Sequence, residues 1–274
     1  MFEYPNIDPV AFSIGPVVVH WYGIMYLIGF AAAWFLAQIH NRRIDAGFTR
    51  DDIADLIFYG AIGVILGGRL GYILFYNFTA FMADPLMILR IWQGGMSFHG
   101  GFIGVALAAL VFARRRGRTF FEVADFVAPI SAIGLGAGRL GNFINGELWG
   151  RVTDSPLGMV FPFERAGPLP RHPSQLYQFF LEGIVLFLVV WVFARKPRPT
   201  MSVSGVFLVT YGVLRFFVEF FREPDEHLMF VAFDWMTRGQ QLCIPMVVLG
   251  IFLIWYAYSK EGKTGAAKPA KGAS

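Results

Sequence analysis

Seven stretches of this 274-residue chain run for about 17 to 25 residues with few charges: 17–40, 53–76, 97–113, 122–141, 174–194, 203–222 and 240–259. A bilayer core about 30 Å thick is crossed by roughly 20 such residues in a helix, the form that satisfies its own backbone hydrogen bonds in lipid. The pattern predicts an all-α integral membrane protein with seven transmembrane helices, and residues 1–259 read as one membrane domain. Composition closes the soluble alternative. With 56% hydrophobic and 15% charged residues, including 30 Phe, 10 Met and 7 Trp, the chain holds more apolar bulk than one water-surrounded core of this size can hide. A single cysteine, Cys243, excludes an internal disulfide framework and a Cys-rich metal site. The first basic residue is Arg42, so the n-region of a cleavable signal peptide is missing and the first apolar stretch is expected to stay.

Lys and Arg give the orientation, because cytoplasmic loops are enriched in them. Arg42, Arg43 and Arg50 follow the first stretch; Arg114, Arg115, Arg116 and Arg118 the third; Arg195, Lys196 and Arg198 the fifth; Lys260, Lys263, Lys268 and Lys271 the seventh. These are 14 of the 23 basic residues, and they fall on one side of the seven-span arrangement. The N-terminus is therefore expected outside and the C-terminus in the cytoplasm, with 260–274 an unstructured basic tail. The net charge of +4 is thus topological and does not signal nucleic acid. Residues 142–172, rich in Pro and Gly, are expected to form a small external head segment. Gly63–Gly67–Gly71, Gly100–Gly104 and Gly134–Gly138 have the spacing of close helix packing.

Ionisable side chains inside a span cost about 2.5–3.5 kcal/mol on insertion scales, so each calls for a partner or a wet cavity. Arg69 and Arg215 each lie seven residues from the outward end of a span, roughly 10 Å deep at 1.5 Å per residue. Tyr26 in span one, His99 at the mouth of span three and Arg139 at the end of span four lie toward the same side. Tyr211, Arg215, Glu219 and Arg222 follow one another along one helix face. Glu219 either neutralises Arg215 and Arg222 in a structural ladder or serves a ligand. Counting Arg69, Arg139, Arg215 and Arg222 against it leaves a positive excess, suited to an anion and, through bidentate guanidinium bonds, to phosphate.

Gly136-x-Gly138-x-x-Gly141 matches a dinucleotide fingerprint but lacks the preceding strand that gives it meaning. The segment is read instead as a helix end broken by glycines, so that Arg139, Asn142, Asn145 and Glu147 line a pocket at the water boundary; the two Asn could equally cap and turn the chain. There is no G-x-S-x-G, no H-E-x-x-H and no metal-ligand spacing among His20, His40, His99, His172 and His227, so an enzyme nucleophile or a metal is not expected. His99 is a candidate base, left approachable by Gly100 and Gly101. His172 is expected to cap the fifth span, and Cys243 to pack as a small apolar residue.

His20-Trp21-Tyr22-Gly23, Tyr26, Ser97-Phe98-His99-Gly100-Gly101, Gly138-Arg139-Leu140-Gly141-Asn142-Phe143-Ile144-Asn145-Gly146-Glu147, Arg171-His172-Pro173-Ser174-Gln175-Leu176-Tyr177 and Glu219-Phe220-Phe221-Arg222-Glu223-Pro224-Asp225 carry a resemblance. At these residues the chain resembles the bacterial prolipoprotein diacylglyceryl transferases. The resemblance implies seven spans with an external N-terminus in the inner membrane. It implies transfer of the diacylglyceryl group of phosphatidylglycerol, on the periplasmic side, to the lipobox cysteine thiol of a prolipoprotein signal peptide, without metal or cofactor. It also implies essential roles for Tyr26, His99, Arg139, Asn142, Gly150 and Arg215, with Glu147, Tyr211, Glu219 and Arg222 in support. From the residues alone, an anionic-lipid or organic-anion transporter with the same positive chamber is the alternative.

Overall fold

The computed structural model describes residues 1–223, 230–232 and 235–266. Eight helices organise it among those residues: α1 Trp21–Ile44, α2 Arg50–Tyr76, α3 Phe78–Ala83, α4 Phe98–Arg115, α5 Phe120–Ile144, α6 Ser174–Phe193, α7 Ser202–Val218 and α8 Arg238–Ala266. Strands are short: β1 Phe2–Glu3, β2 Val10–Ile14, β3 Val17–His20, β4 Met159–Val160, β5 Phe230–Ala232 and β6 Met236–Thr237. They pair as β1 with β4 in parallel, and as the hairpins β2–β3 and β5–β6. This is an all-α membrane protein. Among the described residues, α1, α2, α4, α5, α6 and α8 are long and apolar enough to cross a bilayer. Large side chains such as Phe35, Phe58, Leu66, Phe102, Val248 and Trp255 stand exposed on them, as lipid-facing residues do.

Several expected boundaries move. The first apolar stretch begins in β3, and its helix starts only at Trp21. The sixth stretch is α7, 17 residues, or about 26 Å of helix, a little short of the bilayer core. The basic tail expected to be unstructured from 260 is helical as far as Ala266; residues 267–274, like Asp225 and His227, lie outside the described residues.

The chain divides into two compact units, Ala37–Ala124 and the remainder. In the first, side chains start the helices. Thr49 and Asp52 form a reciprocal cap on α2, Thr49 Oγ1 accepting from Asp52 N–H at 3.0 Å and Asp52 returning the bond to Thr49 N–H at 2.9 Å. Ser97 Oγ accepts from Gly100 N–H at 3.2 Å to start α4. The α2 and α4 glycines meet as their spacing predicts: a Cβ on Gly63 would lie 2.6 Å from Gly104 O, and one on Gly71 2.7 Å from Gly100 Cα.

Arg69 departs from expectation. It is buried, and all five of its N–H donors point at main-chain carbonyls: Nε to Ile88 at 3.3 Å, Nη1 to Gly94 at 2.5 Å and Gly95 at 3.2 Å, Nη2 to Arg90 at 3.1 Å and to Met87. A guanidinium with every donor engaged has none left for a ligand. The expectation that Arg69 lines an anion chamber is corrected: it ties down the two 3-10 helices after α3, Pro85–Leu89 and Ile91–Gln93.

In the second unit, Ala128 and Ala132 of α5 pack with Leu186, Val190 and Ala194, at the end of α6, and Val203 of α7. Asp125 accepts from the N–H groups of Met201 at 2.7 Å and Ser204 at 2.8 Å, holding the start of α7. A second cluster forms the head: Tyr4, Phe143, Met159, Phe161 and Ala166, with Trp149, Phe163 and Leu176 against them. The N-terminal residues thus belong to the head, which the sequence pattern confined to 142–172. Tyr4 donates to the carbonyls of Phe143 at 3.0 Å and Ile144 at 2.8 Å, at the C-terminal end of α5. Burial pushes the Tyr4 hydroxyl pKa up, which keeps it a donor.

Candidate active site

Two arginines on different helices share one carboxylate. Arg139, in the last two turns of α5, donates from Nε at 3.3 Å and Nη2 at 3.1 Å to Glu182 Oε2. Arg215, in the last turn of α7, places Nη1 3.6 Å from Glu182 Oε1 and Nη2 2.8 Å from Glu219 Oε2. Glu182 is fully buried, and its position has a local cause. From Phe179 to Val185, α6 winds as a π-helix between two α-helical ends, a form that recurs at functional sites. Sequence reasoning missed Glu182. The signal was there, because it is a lone carboxylate inside an apolar run, the feature that had singled out Arg69 and Arg215.

Glu219 closes α7 and is held from several sides. Its Oε1 accepts from Thr237 Oγ1 at 3.0 Å and lies 3.8 Å from Arg222 Nη1, and a Cβ on Gly239 would fall 2.6 Å from the same oxygen. Thr237 and Gln240 in turn form a reciprocal cap on α8: Gln240 Oε1 accepts from Thr237 N–H at 3.0 Å, and Thr237 Oγ1 from Gln240 N–H at 3.2 Å. The ladder Arg215–Glu219–Arg222 is therefore real, and it begins three residues before the end of α7, nearer the helix terminus than a span reaching 222 implied. Tyr211, one turn earlier, stacks on Phe207 with centroids 5.9 Å apart. Cys243 is buried on α8, a packing residue as expected.

The expected break in α5 does not occur. The helix is continuous to Ile144, and two of its glycines serve packing: a Cβ on Gly136 would lie 3.0 Å from Gly183 Cα, and one on Gly141 2.6 Å from the Tyr22 ring. A Cβ on Gly134 or Gly138, the pair whose spacing suggested close packing, would meet nothing within 4 Å. Gly141 lets Tyr22 lie against α5, with its hydroxyl 3.4 Å from that of Tyr26. Tyr26 is exposed. Beyond α5 the chain turns through Gly146, at φ +63°, where the Phe163 ring fills the place of any Cβ. Glu147 Oε1 accepts from Asn142 Nδ2 at 2.9 Å and Asn145 Nδ2 at 3.3 Å, so both Asn organise the turn. Gln175 Nε2 and Ser174 Oγ, in the first turn of α6, donate to the carbonyls of Glu147 at 2.6 Å and Leu148 at 2.8 Å.

Gly150 sits between two backbones. Its N–H donates to His172 O at 2.8 Å, it bridges to Arg222, and a Cβ there would fall 2.6 Å from His172 O and against Phe221 O. Its role in the structure is to let the head close on the segment after α7. His172 does not cap α6; Pro173 holds that position, and His172 Nδ1 lies 3.2 Å from Tyr177 Oη. Burial lowers the His172 pKa, favouring the neutral ring. His99 is exposed in the first turn of α4, in the unit that also holds Arg69.

Arg139, Arg215, Glu182, Glu219, Arg222, Asn142, Asn145, Glu147, Gly150, Tyr22, Tyr26 and Tyr211 all belong to the second unit. Three arginines against Glu182 and Glu219 leave one net positive charge there, less than the sequence count implied. A carboxylate seated between two guanidiniums holds both of them aimed at one point.

The profile of the prolipoprotein diacylglyceryl transferase family matches residues 9–256. The chain belongs to this family. Relatives named phosphatidylglycerol–prolipoprotein diacylglyceryl transferase include one from Pseudomonas putida, 58% identical over 98% of this chain and all of its own length. Another, from Pseudomonas fluorescens, is 59% identical over 95% of this chain and 96% of its own. A third, from Pseudomonas paraeruginosa, is 57% identical over 98% and 99%. Arg139 and Arg215, two of the six positions that the resemblance implies to be essential, both reach Glu182.

Proposed function

We propose that the chain is a transferase that moves the diacylglyceryl group of phosphatidylglycerol to the thiol of the lipobox cysteine of a prolipoprotein and releases glycerol phosphate. The observation that carries this reading is the pair Arg139 and Arg215, brought from two helices to one buried carboxylate. The thiol sulfur attacks the glycerol carbon that bears the phosphate ester. The C–O bond breaks, and charge builds on the departing phosphate where fixed guanidiniums lower the barrier. A guanidinium fork also holds two phosphate oxygens in its own plane, which a flexible ammonium does not.

The remaining roles come from position. Tyr26, exposed beside Tyr22, and Tyr211, beside Arg215 along α7, are hydrogen-bond donors toward phosphate or thiol, since a phenol with a pKa near 10 stays protonated. Glu219 and Arg222 brace Arg215. Asn142, Asn145, Glu147 and Gly150 shape the head where the peptide arrives. His99, essential by the resemblance, is the candidate base for the thiol proton. The reaction runs on the periplasmic side of the inner membrane. There α7 serves as the sixth of seven spans and α8 as the seventh, the N-terminus is external, and the 14 basic residues of the inward loops and tail face the cytoplasm.

Radiolabelled phosphatidylglycerol and a lipobox peptide incubated with purified protein in lipid nanodiscs test the reading. Label is expected on the peptide thiol, with glycerol phosphate in equal amount. Folded protein that leaves the thiol free while moving the lipid between leaflets would be the transporter, and the proposal would fail.

A further inference from the structure

Diacylglyceryl transfer changes the charge of the group in the arginine clamp, and the role assigned here to Glu182 rests on that reaction. The sulfur–carbon bond forms, the carbon–oxygen bond breaks with its electron pair left on the phosphate oxygen, and the thiol proton is released. A phosphodiester monoanion becomes a phosphate monoester, whose second ionisation near pKa 6 gives it about −1.5 to −2 charges at neutral pH. A site made of arginines alone would therefore hold its product more tightly than its substrate.

The two carboxylates in the clamp are built differently. Glu219 accepts from Thr237 and pairs with Arg215 and Arg222 in the room that Gly239 leaves by having no side chain, so it is a fixed part of the wall. Glu182 has arginine nitrogens as its partners. Its Oε2 accepts from Arg139, whereas its Oε1 and the facing Arg215 Nη1, 3.6 Å apart, are both buried without a hydrogen bond. Buried polar atoms are seldom left so. The gap between Glu182 and Arg215 is one that an incoming phosphate oxygen can close on the arginine side, while the carboxylate stays as a neighbouring negative charge.

We propose that Glu182 is a positioning residue that sets the charge of the clamp, aiming Arg139 and Arg215 at one point while cancelling one of their charges, so that a phosphate monoanion is accepted and the dianion is expelled. The π-helical turn is what carries this carboxylate to both arginines. Glu182 itself bonds to no reacting atom.

The test compares two ligands on full-length protein in nanodiscs free of phosphatidylglycerol: glycerol phosphate, the dianion, and its methyl phosphodiester, the monoanion. Wild type and Glu182→Asp, which keep the charge, are expected to hold the diester at least as well as glycerol phosphate. Glu182→Gln is expected to shift the ratio of the two dissociation constants tenfold or more toward glycerol phosphate. In turnover it should show a lower kcat with strong product inhibition, and no rise in KM for phosphatidylglycerol. An unchanged ratio in Glu182→Gln overturns the charge role, even if activity falls. Should that variant fail to fold, wild type decides alone: its affinity for glycerol phosphate is expected to weaken as pH rises from about 5.5 to 7.5, through the ligand's second ionisation. Tightening over that range overturns the proposal. A wild-type protein that binds neither phosphate refutes the reaction itself; one that binds both but fails these comparisons refutes only the role of Glu182.

Discussion

Arg139→Lys preserves charge and removes geometry, so it isolates what a guanidinium contributes. Arg139 donates from two nitrogens, at 3.3 and 3.1 Å, to a single oxygen of Glu182, which holds its fork in place. A lysine ammonium reaching the same point keeps one of those bonds. Losing one charge-assisted hydrogen bond costs about 1.5–3 kcal/mol. At about 1.4 kcal/mol per factor of ten, kcat/KM for peptide acylation should fall roughly 10- to 150-fold. The assay is initial-rate transfer from phosphatidylglycerol to a lipobox peptide, normalised to the amount of protein in the membrane. Arg215→Lys should lose at least as much, because Arg215 faces both Glu182 and Glu219. Lysine variants of normal abundance that stay within twofold of wild type would show that charge alone suffices, and the planar clamp would be wrong.

Three further outcomes are expected. Gly150→Ala places a methyl between His172 O and Phe221 O, where the overpacking cost is about 1–3 kcal/mol; the thermal midpoint should drop, and an unchanged midpoint would remove Gly150 from the head's closure. A reporter placed near Pro162 should work only if it functions outside, and one after Ser274 only if it functions in the cytoplasm; the reverse at either site overturns the orientation. For His99→Gln, kcat/KM should fall by orders of magnitude and lose its acidic limb against pH, whereas a modest loss with the limb intact would make His99 an orienting residue.

The helices were legible because apolar runs of bilayer length leave few other solutions, and their ends were less so. The helix α8 overruns into a stretch whose Gly, Ala and Lys read as tail, and β3 claims residues that hydropathy alone assigns to α1. Arg139, Arg215, Glu219 and Arg222 were legible because charge in an apolar span demands a partner. Arg69 obeyed the same rule but found its partners in carbonyls of a segment of short 3-10 helices, where hydrogen-bond direction is invisible to sequence. Gly150 was singled out, yet its reason lies in backbones near 172 and 221, far along the chain. Tyr4 reaches Phe143 across 139 positions, a pairing that no local pattern announces.

A helix with a π turn carries an extra residue relative to an unbroken α-helix, so its two ends are out of phase by about 100°, one residue's rotation. In α6 both ends have commitments: Gln175 to the turn at Glu147 on one side, Leu186 and Val190 to Ala132 on the other. Excising any one residue between 179 and 185 would leave the hydropathy of the span almost untouched. It would nevertheless force one end to release its partners, or turn Glu182 away from the arginines. The segment thus tolerates many exchanges of side chain, but the loss of one residue can straighten it into plain α-helix and take Glu182 off the arginines.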